Sequence, residues 1–177
     1  MKSRRERSLP VSTLGLEARE LYGSGEMCCS EAVLTVLNNE FDGGLSPELA
    51  IALSKGFCGG IGDAGCVCGA LSGAVIGLGL ILCKDGFPAD EELVCIVSKE
   101  IYDRFSARHG SLCCRILSRD RDPESESKGP CLDYVESAAA MGADLILDHD
   151  TLVENDEHNS CRSMFLADKD TAVLSVS

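Results

Sequence analysis

The sequence predicts an all-α protein, a compact helical bundle around a glycine-rich central helix. Three observations carry that expectation. Apolar residues recur at helical period through most of the chain, helix start and stop signals bracket those stretches, and four cysteines stand where a stretch begins: Cys29, Cys68, Cys114 and Cys131. The 177 residues have the length of one domain able to bury a sizeable core. We read a basic segment over 1–13, a helical four-cysteine domain over 14–148 and an acidic extension over 149–177.

Taken in order, Leu14 to Tyr22 reads as a short amphipathic helix that stops at Gly23-Ser24-Gly25. Cys29 to Glu40 follows, with Ala32, Val33, Val36 and Leu37 on one face. Ser46-Pro47-Glu48 combines a capping serine with proline at the first helical position, and the helix should run to about Lys55. Five glycines between Gly56 and Gly65 mark a loop open to unusual backbone angles and to close approach by a ligand. The stretch from Gly65 to Cys83 carries no charge; it is marginal in length for a membrane span and has no second span to accompany it, so it reads as the buried central helix. Gly69, Gly73 and Gly77 share one of its faces, where a neighbouring helix would pack closely. A further helix runs from Ala89 to His109, with acids in its first turn, and with Arg108 and His109 in its last as partners of the helix dipole. Cys114 opens a helix in CRILSRD, Asp120 to Lys128 is a charged linker, and Gly129-Pro130 restarts a helix from Cys131 to about Leu147. Ala172 to Val176 reads as a strand or a tail.

The net charge of −13 is uneven, since Asp120 to the C-terminus alone contributes −10. That sign argues against a nucleic-acid partner. It either keeps the protein soluble or steers a redox partner protein with a basic docking surface, and a homodimer is compatible with the reading. No secretory signal is evident in MKSRRERSLPVSTLG, so we expect a reducing compartment, the cytoplasm, where clustered cysteines bind metal or do redox work more often than they form structural disulfides.

The eleven cysteines separate by geometry. A helix start presents unpaired N–H groups and partial positive charge, which lowers a thiol's pKa and favours the thiolate. If the four starts at Cys29, Cys68, Cys114 and Cys131 meet, they form a pocket suited to an iron–sulfur cluster, of either the 4Fe–4S or the 2Fe–2S type. Cys83 lies roughly 22 Å along the central helix from Cys68, at 1.5 Å per residue. Cys95 falls among apolar positions and reads as a buried thiol. Cys28 and Cys113 adjoin favoured cysteines, and Cys58 and Cys66 border the glycine loop; these four are the rival donors. His149, His158 and Cys161 form a weaker candidate metal set in the tail. The glycines lack a phosphate-loop pattern.

Cys68-Gly69-Ala70-Leu71-Ser72-Gly73 is a CGAxxG motif, and the chain resembles the C_GCAxxG_C_C family of redox-active proteins that carries it. Cys29-Ser30-Glu31-Ala32-Val33 resembles that family's first cysteine segment, Cys114-Arg115-Ile116-Leu117 its third, and Cys131 with Val135 and Ala138 its fourth, while Gly59-Gly60-Ile61 also fits. The resemblance spans Leu14 to Leu147 and implies a small helical domain with four cysteines assigned to redox work. A similar domain in split-Soret cytochromes is associated with an iron–sulfur cluster; with no CxxCH motif here, haem does not carry over. The expected function is thus an iron–sulfur protein for electron transfer, more a carrier or accessory protein than a stand-alone enzyme. A metal-free thiol–disulfide protein in which Cys68 and a partner cycle is the first alternative, and a structural zinc site the second.

Overall fold

The computed structural model describes residues 9–83, 91–120 and 128–155, with the backbone alone at 91–92 and 149–155. Seven α-helices and no strand occur among them: α1 (Val11–Ser24), α2 (Cys29–Glu40), α3 (Pro47–Ser54), α4 (Gly69–Leu82), α5 (Glu91–His109), α6 (Cys114–Leu117) and α7 (Cys131–Asn155), with a 3-10 turn over Lys55–Phe57 after α3. The all-α bundle is therefore the observed fold. The tail set of His158 and Cys161, the side chain of His149, and Ala172 to Val176 lie outside the described residues.

Local chemistry explains the boundaries. Gly25, at φ +85°, ends α1 and returns its N–H to the Tyr22 carbonyl. Ser46 caps α3, its hydroxyl accepting the Leu49 N–H, with Pro47 in the first turn. α2 starts at Cys29 as expected, but its cap is Cys28, whose sulfur accepts from the Glu31 backbone while the Glu31 carboxylate accepts the Cys28 N–H at 2.8 Å. α6 is a single turn, shorter than the sequence implied, and α7 runs past Leu147 to Asn155.

The core is one cluster. α2 packs on α1, α3, α4 and α7; α4 packs on α2, α5 and α7; and α7 also covers α1 and α5. The centre is thus shared, because α2 is buried continuously from Ser30 to Asn38 rather than on one face. Its polar residues fit there by hydrogen bonding: Ser30 donates to the Ser54 carbonyl at 2.8 Å, and the Asn38 amide pairs with the Leu45 backbone in both directions. The glycine face of α4 meets α2 as the spacing predicted. A Cβ on Gly73 would stand 2.5 Å from the Ser30 carbonyl oxygen, and one on Gly77 would stand 2.8 Å from the Leu37 side chain. Arg104 ties α5 to Asp144 of α7 at 3.0 Å, and Arg19 ties α1 to Glu136 at 2.8 Å. No helix among the described residues is long and apolar enough to cross a membrane.

Candidate functional site

One end of the bundle holds a cavity of about 670 Å³. Cys29, Cys68, Cys114 and Cys131 all line it, each at a helix start: Cys29, Cys114 and Cys131 are first residues, and Cys68 is the residue before α4. The first and last of them are 102 positions apart in the chain, yet each faces the others closely enough that a charge on one disfavours a charge on the next. Cys131 acts so on Cys29, Cys29 and Cys114 act on Cys68, and Cys29 and Cys131 act on Cys114.

The glycine loop folds over this end through backbone bonds. The Gly65 and Cys66 N–H groups return to the Gly59 and Gly60 carbonyls, while Cys66 and Gly65 accept from the Cys114 and Arg115 N–H groups at 2.5 and 3.1 Å. Gly59, Gly60, Ile61, Gly62 and Asp63 all have φ between 56° and 73°, a left-handed run that glycine tolerates and a β-branched isoleucine pays for. Gly60 allows no side chain, because a Cβ there would lie 2.6 Å from Cys114 Cβ. The run brings the Gly59 amide onto the Cys29 sulfur, beside the Ser30 amide.

The thiol electrostatics differ from the sequence expectation. Burial outweighs the helix starts: it pushes the Cys68 thiol up to about 12, and it also raises Cys29 and Cys114. Amides of Leu71 and Ala70 at Cys68, and the Ser118 hydroxyl at Cys114, oppose the rise without cancelling it. α6 is too short to add a substantial dipole. Cys29, Cys68 and Cys114 are therefore protonated at neutral pH when unliganded, and a positive charge is needed to hold them as thiolates. Lys55, Arg115 and Lys128 line the same cavity, with Glu26, Glu31 and Asp63 among its acids.

The remaining cysteines sort clearly. Cys28 and Cys58, two of the rival donors, form a disulfide with Cα atoms 6.0 Å apart, so in this state neither is a free substitute for a favoured thiol. Both line the cavity. Cys113 donates its thiol to the Gly65 carbonyl at 3.2 Å, and Cys66 is exposed; neither lines the cavity. Cys83 caps the far end of α4, and Cys95 is half-buried in α5. His109 does end α5, but its ring packs at 4.5 Å from Phe105 and 4.8 Å from Tyr134 and bonds Ser137 at 2.7 Å, while burial lowers its pKa. It acts as a neutral packing residue more than as a charged dipole partner. Sequence reasoning missed the Cys28–Cys58 pair. The available signal was Cys28-Cys29-Ser30-Glu31, a capping-box pattern with cysteine in the serine position, which turns Cys28 away from the Cys29 direction.

Comparison with known proteins identifies one family. The family described as "Putative redox-active protein (C_GCAxxG_C_C)" matches residues 27–145. The chain belongs to this family. Neither curated proteins nor solved structures give a match.

Proposed function

We propose that this member of a redox-active family is an iron–sulfur protein that carries electrons, with one cluster held by Cys29, Cys68, Cys114 and Cys131. The observation that carries the reading is the convergence of these four distant thiols on one cavity at helix starts. The donor set fits: iron–sulfur clusters are held by four cysteine thiolates. A single zinc ion fits less well. Tetrahedral zinc with bonds near 2.3 Å holds its sulfurs about 3.8 Å apart. Among the described residues, the ligand group that closes within 4.8 Å is Cys28, Glu31 and Cys58, not these four.

A bound cluster would supply one-electron transfer, its type being 4Fe–4S or 2Fe–2S. The chain's own contribution is the setting. The Gly59 and Ser30 amides at Cys29, and the Leu71 and Ala70 amides at Cys68, stabilise sulfur charge and tune potential. Burial at Cys68 excludes water from that side. Loading displaces thiol protons into solvent. The partner we propose is a redox protein with basic charge, matching an acidic chain, and the compartment is the cytoplasm.

The test is metal analysis of protein purified without oxygen. We expect a brown protein containing iron and labile sulfide. A colourless zinc protein refutes the reading, and a colourless metal-free one favours the thiol–disulfide alternative. That alternative has one observation behind it, the Cys28–Cys58 disulfide, a pair that does not include Cys68.

A further inference from the structure

The Cys28–Cys58 disulfide has a neighbour that a purely structural cross-link does not need. The Glu31 carboxylate, its side chain 6 % exposed, places an oxygen within 4.8 Å of both sulfurs, which also lie within that distance of each other. Cys28 and Glu31 stand three residues apart at the first turn of α2, while Cys58 arrives from the glycine loop. The Ser30 hydroxyl lies 3.3 Å from the Cys58 sulfur and 3.5 Å from the Cys28 sulfur. Each carboxylate oxygen has one partner, the Cys28 N–H on Oε2 and the Lys55 ammonium on Oε1 at 3.2 Å, which leaves lone pairs for a further bond. The Lys55 side chain is 73 % exposed, so it can leave for solvent when another cation arrives.

We propose that Cys28, Cys58 and Glu31 form a redox-gated site for a thiophilic divalent cation such as zinc. In the oxidised state the two sulfurs are bonded to each other and take no metal. A dithiol reductant gives two electrons and two protons, the S–S bond breaks to two thiols, and the reductant leaves as its own disulfide. The cation then binds both sulfurs as thiolates, releasing two protons, and takes one carboxylate oxygen from Glu31. A fourth position faces the cavity, the pattern of three protein ligands and one open place. Two sulfurs in the set select a borderline-soft ion over magnesium or calcium. None of the three ligands belongs to the proposed cluster set, so the two sites succeed or fail separately.

The test uses full-length, metal-free protein in two states: oxidised, or reduced with dithiothreitol and desalted without oxygen. Cadmium replaces zinc as the probe, read by sulfur-to-metal charge-transfer absorbance, and alkylation followed by mass measurement verifies that reduction adds two thiols. Reduced wild type should take up one equivalent more than oxidised wild type, and Cys58→Ser should abolish that difference. Glu31→Gln keeps the capping box, which accepts glutamine, and should bind the extra ion about tenfold or more weakly. Equal uptake by the two wild-type states overturns the proposal, and so does unchanged affinity in Glu31→Gln. The wild-type comparison needs no substitution, so it decides the matter even if Cys58→Ser fails to fold.

Discussion

Replacing Gly73 by alanine puts a single methyl where α4 crosses α2. The new Cβ would lie 2.5 Å from the Ser30 carbonyl oxygen and 3.1 Å from Ser30 Cα. Both are backbone atoms, so no rotamer change relieves the clash. Ordinary contact begins near 3.4 Å, so the helices must separate locally by about 0.9 Å. A gap of that order forfeits roughly a quarter to a half of each contact along the seam. Overpacking of this kind costs about 1–3 kcal/mol, against which alanine gains about 0.8–1 kcal/mol of helix propensity over glycine. The obstacle is rigid, so we expect a net loss of about 1–2 kcal/mol, a fall in Tm of roughly 2–8 °C for a chain of this size. Gly79→Ala supplies the control on the same helix. Its Cβ meets only Val94 Cγ1 at 3.9 Å, so propensity acts unopposed and Tm should rise by about 2–4 °C. Circular-dichroism melts of the two variants should move in opposite directions. A Gly73→Ala protein that melts at or above wild type would refute the proposed α2–α4 contact. Iron content provides a second readout, since displacing Ser30 also displaces Cys29.

Three further outcomes follow from the site. Serine at Cys29, Cys68, Cys114 or Cys131 singly should lower bound iron in anaerobically purified protein, whereas Cys83→Ser and Cys95→Ser should leave it nearly unchanged; full retention in all four would end the ligand assignment. Reducing Cys28–Cys58, which closes a sequence separation of 30, should cost about 3–4 kcal/mol on the loop-entropy estimate, and denaturant unfolding with and without dithiothreitol measures it. His109 is held neutral in the fold, its pKa lowered by burial from 6.5. The unfolded chain therefore binds the proton more readily, and the stability owed to the neutral ring is complete above pH 6.5 and declines as pH falls below it. The stability gap between wild type and His109→Gln should narrow between pH 7.5 and 5; a gap independent of pH would show that the ring does not titrate differently on folding.

Much of the bundle is legible from residue chemistry. Ser46-Pro47-Glu48 announces α3, Gly25 ends α1, and Gly69, Gly73 and Gly77 mark the close seam because only a side-chain-free face allows it. The placement of the four cysteines at helix starts was legible too, while their meeting at one cavity is a product of the tertiary packing. Burial was not legible, since it is a tertiary quantity: the α2 pattern shows one apolar face, while α1 and α3 cover the rest. The thiol pKa values went the other way for the same reason. The Cys28–Cys58 bond joins the cap of α2 to the end of the 3-10 turn over Lys55–Phe57, a long-range pairing that no local pattern announces. The far end of α7 was missed because Asp148 and Glu154 lie where the helix dipole disfavours acids.

Because α2, α4 and α7 all begin at the cavity, they point the same way, and the chain must travel back between them. The segment through α3 returns it from α2 to α4, and α5 returns it from α4 toward α6. The intervals from Cys29 to Cys68 and from Cys68 to Cys114 are thus out-and-back strokes, each leaving the cavity along one helix and returning along another. The turn over 41–46 leaves α2 some 18 Å from its start, at 1.5 Å per residue, and bears none of the cavity lining. A residue inserted there would part Leu45 from Asn38 at the far end of α2, away from the cysteines, whereas one residue added between Gly110 and Cys113 shifts the register of Cys114 against Cys66. A change of length is therefore felt in the packing of the bundle at one pole and in the arrangement of the cysteines at the other.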